Sequence, residues 1–183
     1  LEDILEASNL SKGDLSINPE VVDFSHAFNE ICLSLGQRVQ EAGLDFIADN
    51  PYDTCQVFLD RGRIQQVITN FVTNAVKNTQ KGHVKVGYRR QDNGLYIYCE
   101  DTGIGIAKEK QASVFDRFVK LNYFVQGSGL GLNICKSIAE RCNGRIGLES
   151  EGEGHGCTFW LWIPCQLPTS QTMTATDNNQ SRE

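Results

Sequence analysis

The chain has 183 residues, 40% hydrophobic and 22% charged, with a formal net charge of −6. This length and balance suit one globular domain with its own core. The acidic surplus, without a basic stripe, argues against a nucleic-acid binder, and no apolar run approaches the ~18 residues needed to span a membrane. No signal peptide is visible. Local basic residues (Lys77, Lys81, Lys85, Arg89, Arg90) suit a phosphate ligand. Seven cysteines occur without C-x-x-C spacing, which disfavours zinc and reads as buried, reduced thiols of a cytosolic protein.

Residues 1–10 have near-helical apolar spacing and stop at Lys12-Gly13, so they read as the last turns of a helix. Asp23 is a cap candidate for a helix over about 25–41, with Phe28, Ile31, Cys32, Leu35 and Val39 on one face. Short strands are predicted at 44–48 and 55–59. Asp60 then caps a long helix to about Asn78. Strands at 83–90 and 95–100 flank Asp92-Asn93-Gly94, a hairpin signal. A short helix is expected within 106–119. A further helix spans 129–142, ended by Asn143-Gly144. Strands at 145–150 and 158–163 pair across a turn rich in glycine. The polar tail from 166 to 183 has almost nothing to bury and is expected to be disordered. The pattern predicts an α+β, two-layer sandwich: a mixed, mostly antiparallel sheet with about three helices on one face.

Three places carry chemistry. Ile64, Val67, Ile68, Phe71, Val72, Ala75 and Val76 form a core stripe, and Gln66, Asn70, Asn74 and Asn78 run beside it four residues apart on one helix face. An ordinary solvated face would usually carry Glu, Lys and Arg. Asparagine costs ~0.5 kcal/mol or more per residue in a helix relative to alanine, whereas its amide oxygen suits a hard cation such as Mg²⁺ on a triphosphate. Next, Asp101-Thr102-Gly103-Ile104-Gly105 follows an apolar strand. A carboxylate there is either an Asx turn or a partner for a donor such as the exocyclic amine of adenine. Finally, Gly127-Ser128-Gly129-Leu130-Gly131-Leu132 opens a helix, and free N–H groups at a helix N-terminus suit phosphate. It is not a dinucleotide fingerprint, no P-loop is present, and the H-R-D and D-F-G signatures are missing.

The order and spacing of these pieces resemble the catalytic domains of sensor histidine kinases, within the fold shared with gyrase B subunits, mismatch-repair ATPases and heat-shock chaperone N-domains. The likeness covers about residues 15–164. Asn70, Asn74 and Lys77 match the N box, residues 101–105 the first glycine box, Phe115-Asp116-Arg117-Phe118 the F box, and 127–132 the second glycine box. Residues 145–163, including Gly154-His155-Gly156-Cys157-Thr158-Phe159, match the closing hairpin.

The resemblance implies ATP and Mg²⁺ as ligands. Asp101 would receive the adenine amine. Asn74, with Asn70 close by, would hold Mg²⁺, and Lys77 would reach a phosphate. Gly129 and Gly131 would let backbone amides approach the phosphates. Gly103, Gly105, Ile106, Phe118, Gly127, Ser128, Leu130, Leu132 and Thr158 are expected to contribute to the nucleotide site. Lys120 stands where many relatives carry an arginine facing the triphosphate. The loop from Phe118 to Gly127 would be an ATP lid, whose Leu121, Tyr123 and Phe124 either dock on nucleotide or a partner helix or pack on the domain. Asn70, Lys77 and Lys120 are the candidate catalytic residues.

By the same resemblance, residues 1–14 end a dimerisation helix and its linker, 15–166 form the ATP-binding domain and 167–183 a tail. The phosphoacceptor histidine would lie in a preceding helix, because His26, His83 and His155 lack the expected surroundings and read as surface residues. The implied reaction is protein-histidine phosphorylation. Its implied partners are a dimerisation domain of the same protein and a response-regulator receiver domain. The domain itself would be cytoplasmic, and the parent a homodimer in the inner membrane. Three departures stand out: Asn78 in place of an aromatic, Ser128 for Thr, and Cys157 where Ser or Thr is usual. ATPase relatives carry a water-activating glutamate at the position of Asn70, which predicts slow hydrolysis here. Competing readings are a conformational ATPase, a nucleotide-binding module without catalysis and a protein-serine kinase.

Overall fold

Two aspartates start the long helices. Asp23 accepts from the Ser25 N–H at 3.1 Å and opens α1 (Phe24–Glu41). Asp60 accepts from the Arg63 N–H at 3.2 Å and opens α2 (Arg61–Asn78). Each satisfies an orphan donor of a first turn. Each also ties its helix to a neighbour: Asp23 accepts from the Cys55 N–H at 2.9 Å and Asp60 from the Asn18 N–H at 2.8 Å. Both caps sit where the sequence predicts them.

The computed structural model describes residues 15–116 and 131–167. Its other elements are β1 (Glu20–Asp23), β2 (Asp45–Asp49), β3 (Gln56–Leu59), β4 (His83–Gln91), β5 (Gly94–Asp101), α3 (Lys108–Gln111), α4 (Gly131–Arg141), β6 (Arg145–Glu149) and β7 (Cys157–Pro164). A five-stranded sheet has the order β2-β4-β5-β7-β6, while β1 and β3 form a separate antiparallel ribbon. The β2–β4 pair is parallel and the others antiparallel. Asp92 and Asn93 both have positive φ (51° and 59°), the two-residue hairpin turn that right-twisted strands favour. Asn143, at φ 58°, ends α4, and the Gly144 N–H closes back on the Ala139 carbonyl at 2.8 Å.

Helices α1, α2 and α4 cover one face of the sheet. Towards them point Val84, Val86 and Tyr88 of β4, Leu95, Ile97 and Cys99 of β5, and Phe159, Leu161 and Ile163 of β7, all buried. The other face carries half-buried Tyr96, Tyr98, Trp160 and Trp162. Helix α2 lies centrally, with Ile64, Val67, Ile68, Phe71, Val72 and Ala75 no more than 1% exposed. Phe71 meets Phe159 of β7 at a ring separation of 5.5 Å. This is the two-layer sandwich expected from sequence.

The ribbon strand β1 is not anticipated by sequence reading, because Val21 and Val22 are too short an apolar run to show a period. Six of the seven cysteines are buried and Cys142 is intermediate, all as free thiols. No described helix is long and apolar enough to cross a membrane. The helix end expected at 1–14 and the tail expected beyond 167 lie outside the described residues. Replacing the α2 cap, Asp60→Ala, should cost about 1 kcal/mol and lower the melting temperature by about 2–4 °C. Thermal unfolding checks this, and an unchanged midpoint would remove Asp60 from its capping role.

Candidate functional site

The C-terminal end of α2 meets the ends of β5 and β7 at one corner of the sheet. The Asn78 carbonyl accepts from the Ile104 N–H at 2.9 Å. Gly103 lies so close that a Cβ there would stand 2.2 Å from the Asn78 oxygen, so no other residue fits without moving backbone. Gly105 takes φ 69° and packs on the Gly152 carbonyl. The loop is laced to the turn between β6 and β7: the Gly154 N–H donates to Ile104 at 2.7 Å and the Gly156 N–H to Gly103 at 3.1 Å.

Asp101 ends β5 inside this corner, 5% exposed. Its Oδ1 accepts from the Gly103 N–H at 2.9 Å, and the backbone N–H of Cys157, opposite it in the sheet, also favours the ionised form. Burial pushes its pKa up to about 6, against the pull of those two N–H groups and of His83, with Glu100 adding to the rise. A carboxylate has about four lone-pair sites, so a ligand N–H can be accepted here.

Asn70, Asn74 and Asn78 are half-buried along α2, and Lys77 is exposed. The Asn70 amide nitrogen donates to the Gly131 carbonyl at 3.3 Å, joining the amide row to the start of α4. Because that contact engages the nitrogen, the Asn70 amide presents its oxygen to any cation. Gln66, the first of the row, instead accepts from Arg63 on the same helix at 3.1 Å. Phe115 packs edge-on to Phe159 at 6.1 Å, and the Asn133 side chain donates to the Phe115 carbonyl at 3.2 Å. Phe115 is therefore anchored to the core and to α4.

Asn70, Asn74, Lys77, Asp101, Gly103, Gly105 and Gly131 thus lie on the elements that converge here. Ile106 and Leu132 are core residues, 5% and 7% exposed. Thr158 is a different case. Along β7 the buried positions are Cys157, Phe159, Leu161 and Ile163, so Thr158 shares the opposite face with Trp160 and Trp162. Cys157, paired with Asp101 in the sheet register, is the residue on the site's side. Sequence reading does not single out its N–H, although the glycines before it are the available signal. Burial pushes the Cys157 thiol up to about 12, and the charge of Asp101 adds to the rise. Phe118, Lys120, Gly127, Ser128, Gly129, Leu130 and the expected lid lie outside the described residues. Of the histidines, His26 is exposed and pairs with Glu30 at 3.1 Å, His83 is half-buried beside Glu100 at 3.3 Å, and His155 is exposed.

A family described as the histidine kinase-, DNA gyrase B- and HSP90-like ATPases matches residues 59–167. The chain belongs to this family of ATP-binding domains. It is 34% identical over 178 residues to the autoinducer 2 sensor kinase/phosphatase LuxQ of Vibrio vulnificus, covering 91% of this chain and 20% of that protein. The sensor protein kinase WalK of Staphylococcus aureus is also 34% identical, over 177 residues, covering 91% of this chain and 41% of WalK. The chain therefore spans less than half the length of these relatives. Among solved structures, full-length ShkA in complex with AMPPNP superposes with a TM-score of 0.81 at 28% identity, over 91% of this chain and 35% of ShkA. The Acinetobacter baumannii histidine kinase AdeS gives 0.71 at 26% identity, over 88% of this chain and 75% of AdeS.

The raised pKa of Asp101 has a stability consequence whose sign is fixed. Ionisation is disfavoured in the fold, so the unliganded protein is penalised above pH 6 and relieved as pH falls towards the ordinary carboxylate value. Asp101→Asn should therefore be favoured over wild type at pH 7.5 relative to pH 4, with a difference on the order of 2 kcal/mol. Urea unfolding of both proteins at both pH values measures it. A pH-independent difference would contradict the buried-charge account.

Proposed function

We propose that the domain binds Mg·ATP at the corner formed by α2, the 101–105 loop and the start of α4. It then donates the γ-phosphate to a histidine on a dimerisation domain, for onward transfer to a response-regulator aspartate. The observation that carries this reading is the pairing of one buried carboxylate, Asp101, with a half-buried amide row joined to α4 through Asn70. In this reading Asp101 accepts the adenine amine, Asn74 and Asn70 offer neutral oxygens to Mg²⁺, and Lys77 neutralises phosphate charge. The neutral, half-buried amides suit a hard cation, which when bound offsets charge on the phosphates. Gly129 and Gly131 admit the phosphates to backbone N–H groups, and Phe118, Lys120 and 127–130 complete the site. Ile106 and Leu132 pack behind it, and Thr158 is left out.

The acceptor imidazole is itself the nucleophile: its nitrogen bonds to the γ-phosphorus as the bond to the ADP oxygen breaks. The segment from Arg61 to Asn78 holds no carboxylate, and an amide at Asn70 cannot take a proton from water. Positioning without a base favours transfer over hydrolysis. The catalytic domain is proposed as 15–166, supported by the burial of Leu15 and Cys165 in one core. In the same reading the parent is a homodimer, the onward acceptor is a receiver domain and the domain lies on the cytoplasmic side of an inner membrane; the relatives named as sensor kinases support the kinase role.

Calorimetric titration should give clear preference for ATP over GTP, because a carboxylate repels the guanine carbonyl oxygen. Affinity should be level above pH 6 and fall up to about tenfold per pH unit below it, as Asp101 protonates. Asp101→Asn should weaken binding by about 10- to 100-fold; unchanged affinity would remove Asp101 from base recognition. With a separately supplied dimerisation domain, acid-labile label should appear on its histidine. Rapid steady hydrolysis by the chain alone would point to a conformational ATPase, and acid-stable label to a serine kinase.

A further inference from the structure

Helix α2 ends at Asn78, and Thr79 follows as its C-cap in extended backbone, φ −123° and ψ 117°. Thr79 is 5% exposed. A threonine hydroxyl near a helix end can donate back to a carbonyl three or four residues earlier. Thr79 makes no such bond. Among the described residues its Oγ1 is the one buried side-chain oxygen or nitrogen without a hydrogen-bond partner. Leaving a buried hydroxyl unpaired is unfavourable, and such groups are rare enough in native proteins that each calls for a reason.

The place of the hydroxyl supplies one. Gly103 packs on it: a Cβ at Gly103 would stand 2.7 Å from Thr79 Oγ1. The N–H of the same glycine donates to Asp101 Oδ1 at 2.9 Å. A buried carboxylate and a buried, unpaired hydroxyl therefore lie against one glycine. The neighbouring backbone carbonyls are already engaged, that of Asn78 by the Ile104 N–H at 2.9 Å and that of Gly103 by the Gly156 N–H at 3.1 Å. Two further hydroxyls of the corner are engaged as well. Thr102 Oγ1 accepts from the His83 N–H at 3.0 Å, and Ser150 Oγ donates to the Gly156 carbonyl at 2.7 Å. Of the three, only Thr79 keeps its donor in reserve.

We infer that Thr79 is a ligand-reading residue of this corner: its hydroxyl, unpaired in the unliganded fold, donates to a ring nitrogen of the purine whose amine Asp101 accepts. The inference rests on the adenine role proposed for Asp101. An ionised carboxylate can only accept, whereas a hydroxyl can donate. The amine of adenine stands between two ring nitrogens, N1 and N7, that accept. One acceptor and one donor side by side therefore match that edge of the base. In extended backbone more than one side-chain rotamer is populated, so a turn about χ1 brings the hydroxyl to the base without moving the helix. The unliganded chain bears the cost of the unpaired group, and the ligand removes it.

The test compares wild type, Thr79→Val and Thr79→Ser by thermal unfolding without ligand and by calorimetric titration. The titrants are Mg·ATP and two analogues with carbon in place of N1 or of N7. Valine keeps the shape of threonine and removes the hydroxyl. Unliganded Thr79→Val should melt about 2–4 °C higher, because an unpaired buried hydroxyl is gone. It should nevertheless bind ATP about three- to tenfold more weakly. Thr79→Ser should bind as wild type does. One of the two analogues should bind wild type more weakly than ATP by a similar factor, and Thr79→Val should bind that analogue and ATP alike. A merely structural role would instead lower melting temperature and affinity together. A lower melting temperature for Thr79→Val, or an ATP affinity equal to wild type, overturns the inference. So does wild type that binds both analogues as it binds ATP, a measurement that serves if the valine variant does not fold. Should Asp101→Asn weaken ATP binding while Thr79→Val does not, the inference alone fails. Should neither variant weaken it, the adenine reading fails as well.

Discussion

Holding an ionisable carboxylate almost out of water at the end of β5 is the constraint that orders the rest of this domain. Among the described residues Asp101 is the one charged group that is buried, and burial of a carboxylate is costly unless donors reach it. Two backbone N–H groups favour its ionised form: that of Gly103, in the loop after β5, donates to it, and that of Cys157, at the start of β7, acts from nearby. Backbone can come this close only where side chains are absent. Gly103 against α2 and Gly156 against Asp101 follow from that need. The residual upward shift of Asp101 shows that the two N–H groups do not compensate its burial fully. The unliganded fold therefore carries a local penalty that a further donor would reduce.

Helix α2 serves two demands with one periodicity. Its stripe from Ile64 to Ala75 is the centre of the core, while Asn70, Asn74 and Asn78 are poor helix formers held at a half-buried edge. Core packing and the Asp60 cap offset that low propensity. Because one rigid helix carries both, the amide row is set relative to the sheet by Phe71 on Phe159, and relative to Asp101 by the Asn78–Ile104 bond. Phe159 also receives Phe115, so one β7 residue packs against both α2 and Phe115.

Features written in local chemistry were legible in the sequence: the caps at Asp23 and Asp60, the Asp92-Asn93 turn, the Asn143 stop and the stripe of α2. Non-local pairing was not. Nothing in 20–23 announces β1, nor do the short runs disclose that β2 pairs in parallel with β4 or that β7 lies between β5 and β6. The placement of Thr158 has a specific cause. The strand Cys157–Pro164 is apolar on both faces, since Trp160 and Trp162 lie on the side away from the helices. Alternation therefore does not say which face is inward, and the structure turns Thr158, expected at the site from the resemblance, to the face away from the helices. The hydroxyl of Ser150, which bonds to Ile106, Gly152 and Gly156 across two loops, is invisible for another reason: it has no periodicity or motif of its own.

The distribution of charge bears on the chemistry as much as on recognition. The buried carboxylate stands at the end of a strand and the helix with the amide row has none. In the proposed reading, base recognition and phosphate handling are thus served by groups of different kind, a charged acceptor and neutral oxygens. A carboxylate on the row would strengthen cation binding, yet it would also supply a base to a nearby water and turn a donor of phosphate into a hydrolase. Neutral amides hold a cation less tightly but leave the phosphate intact until a stronger nucleophile arrives. For the proposed reaction, in which the domain waits for an imidazole from another element, weak ligands without basicity are the chemically consistent choice.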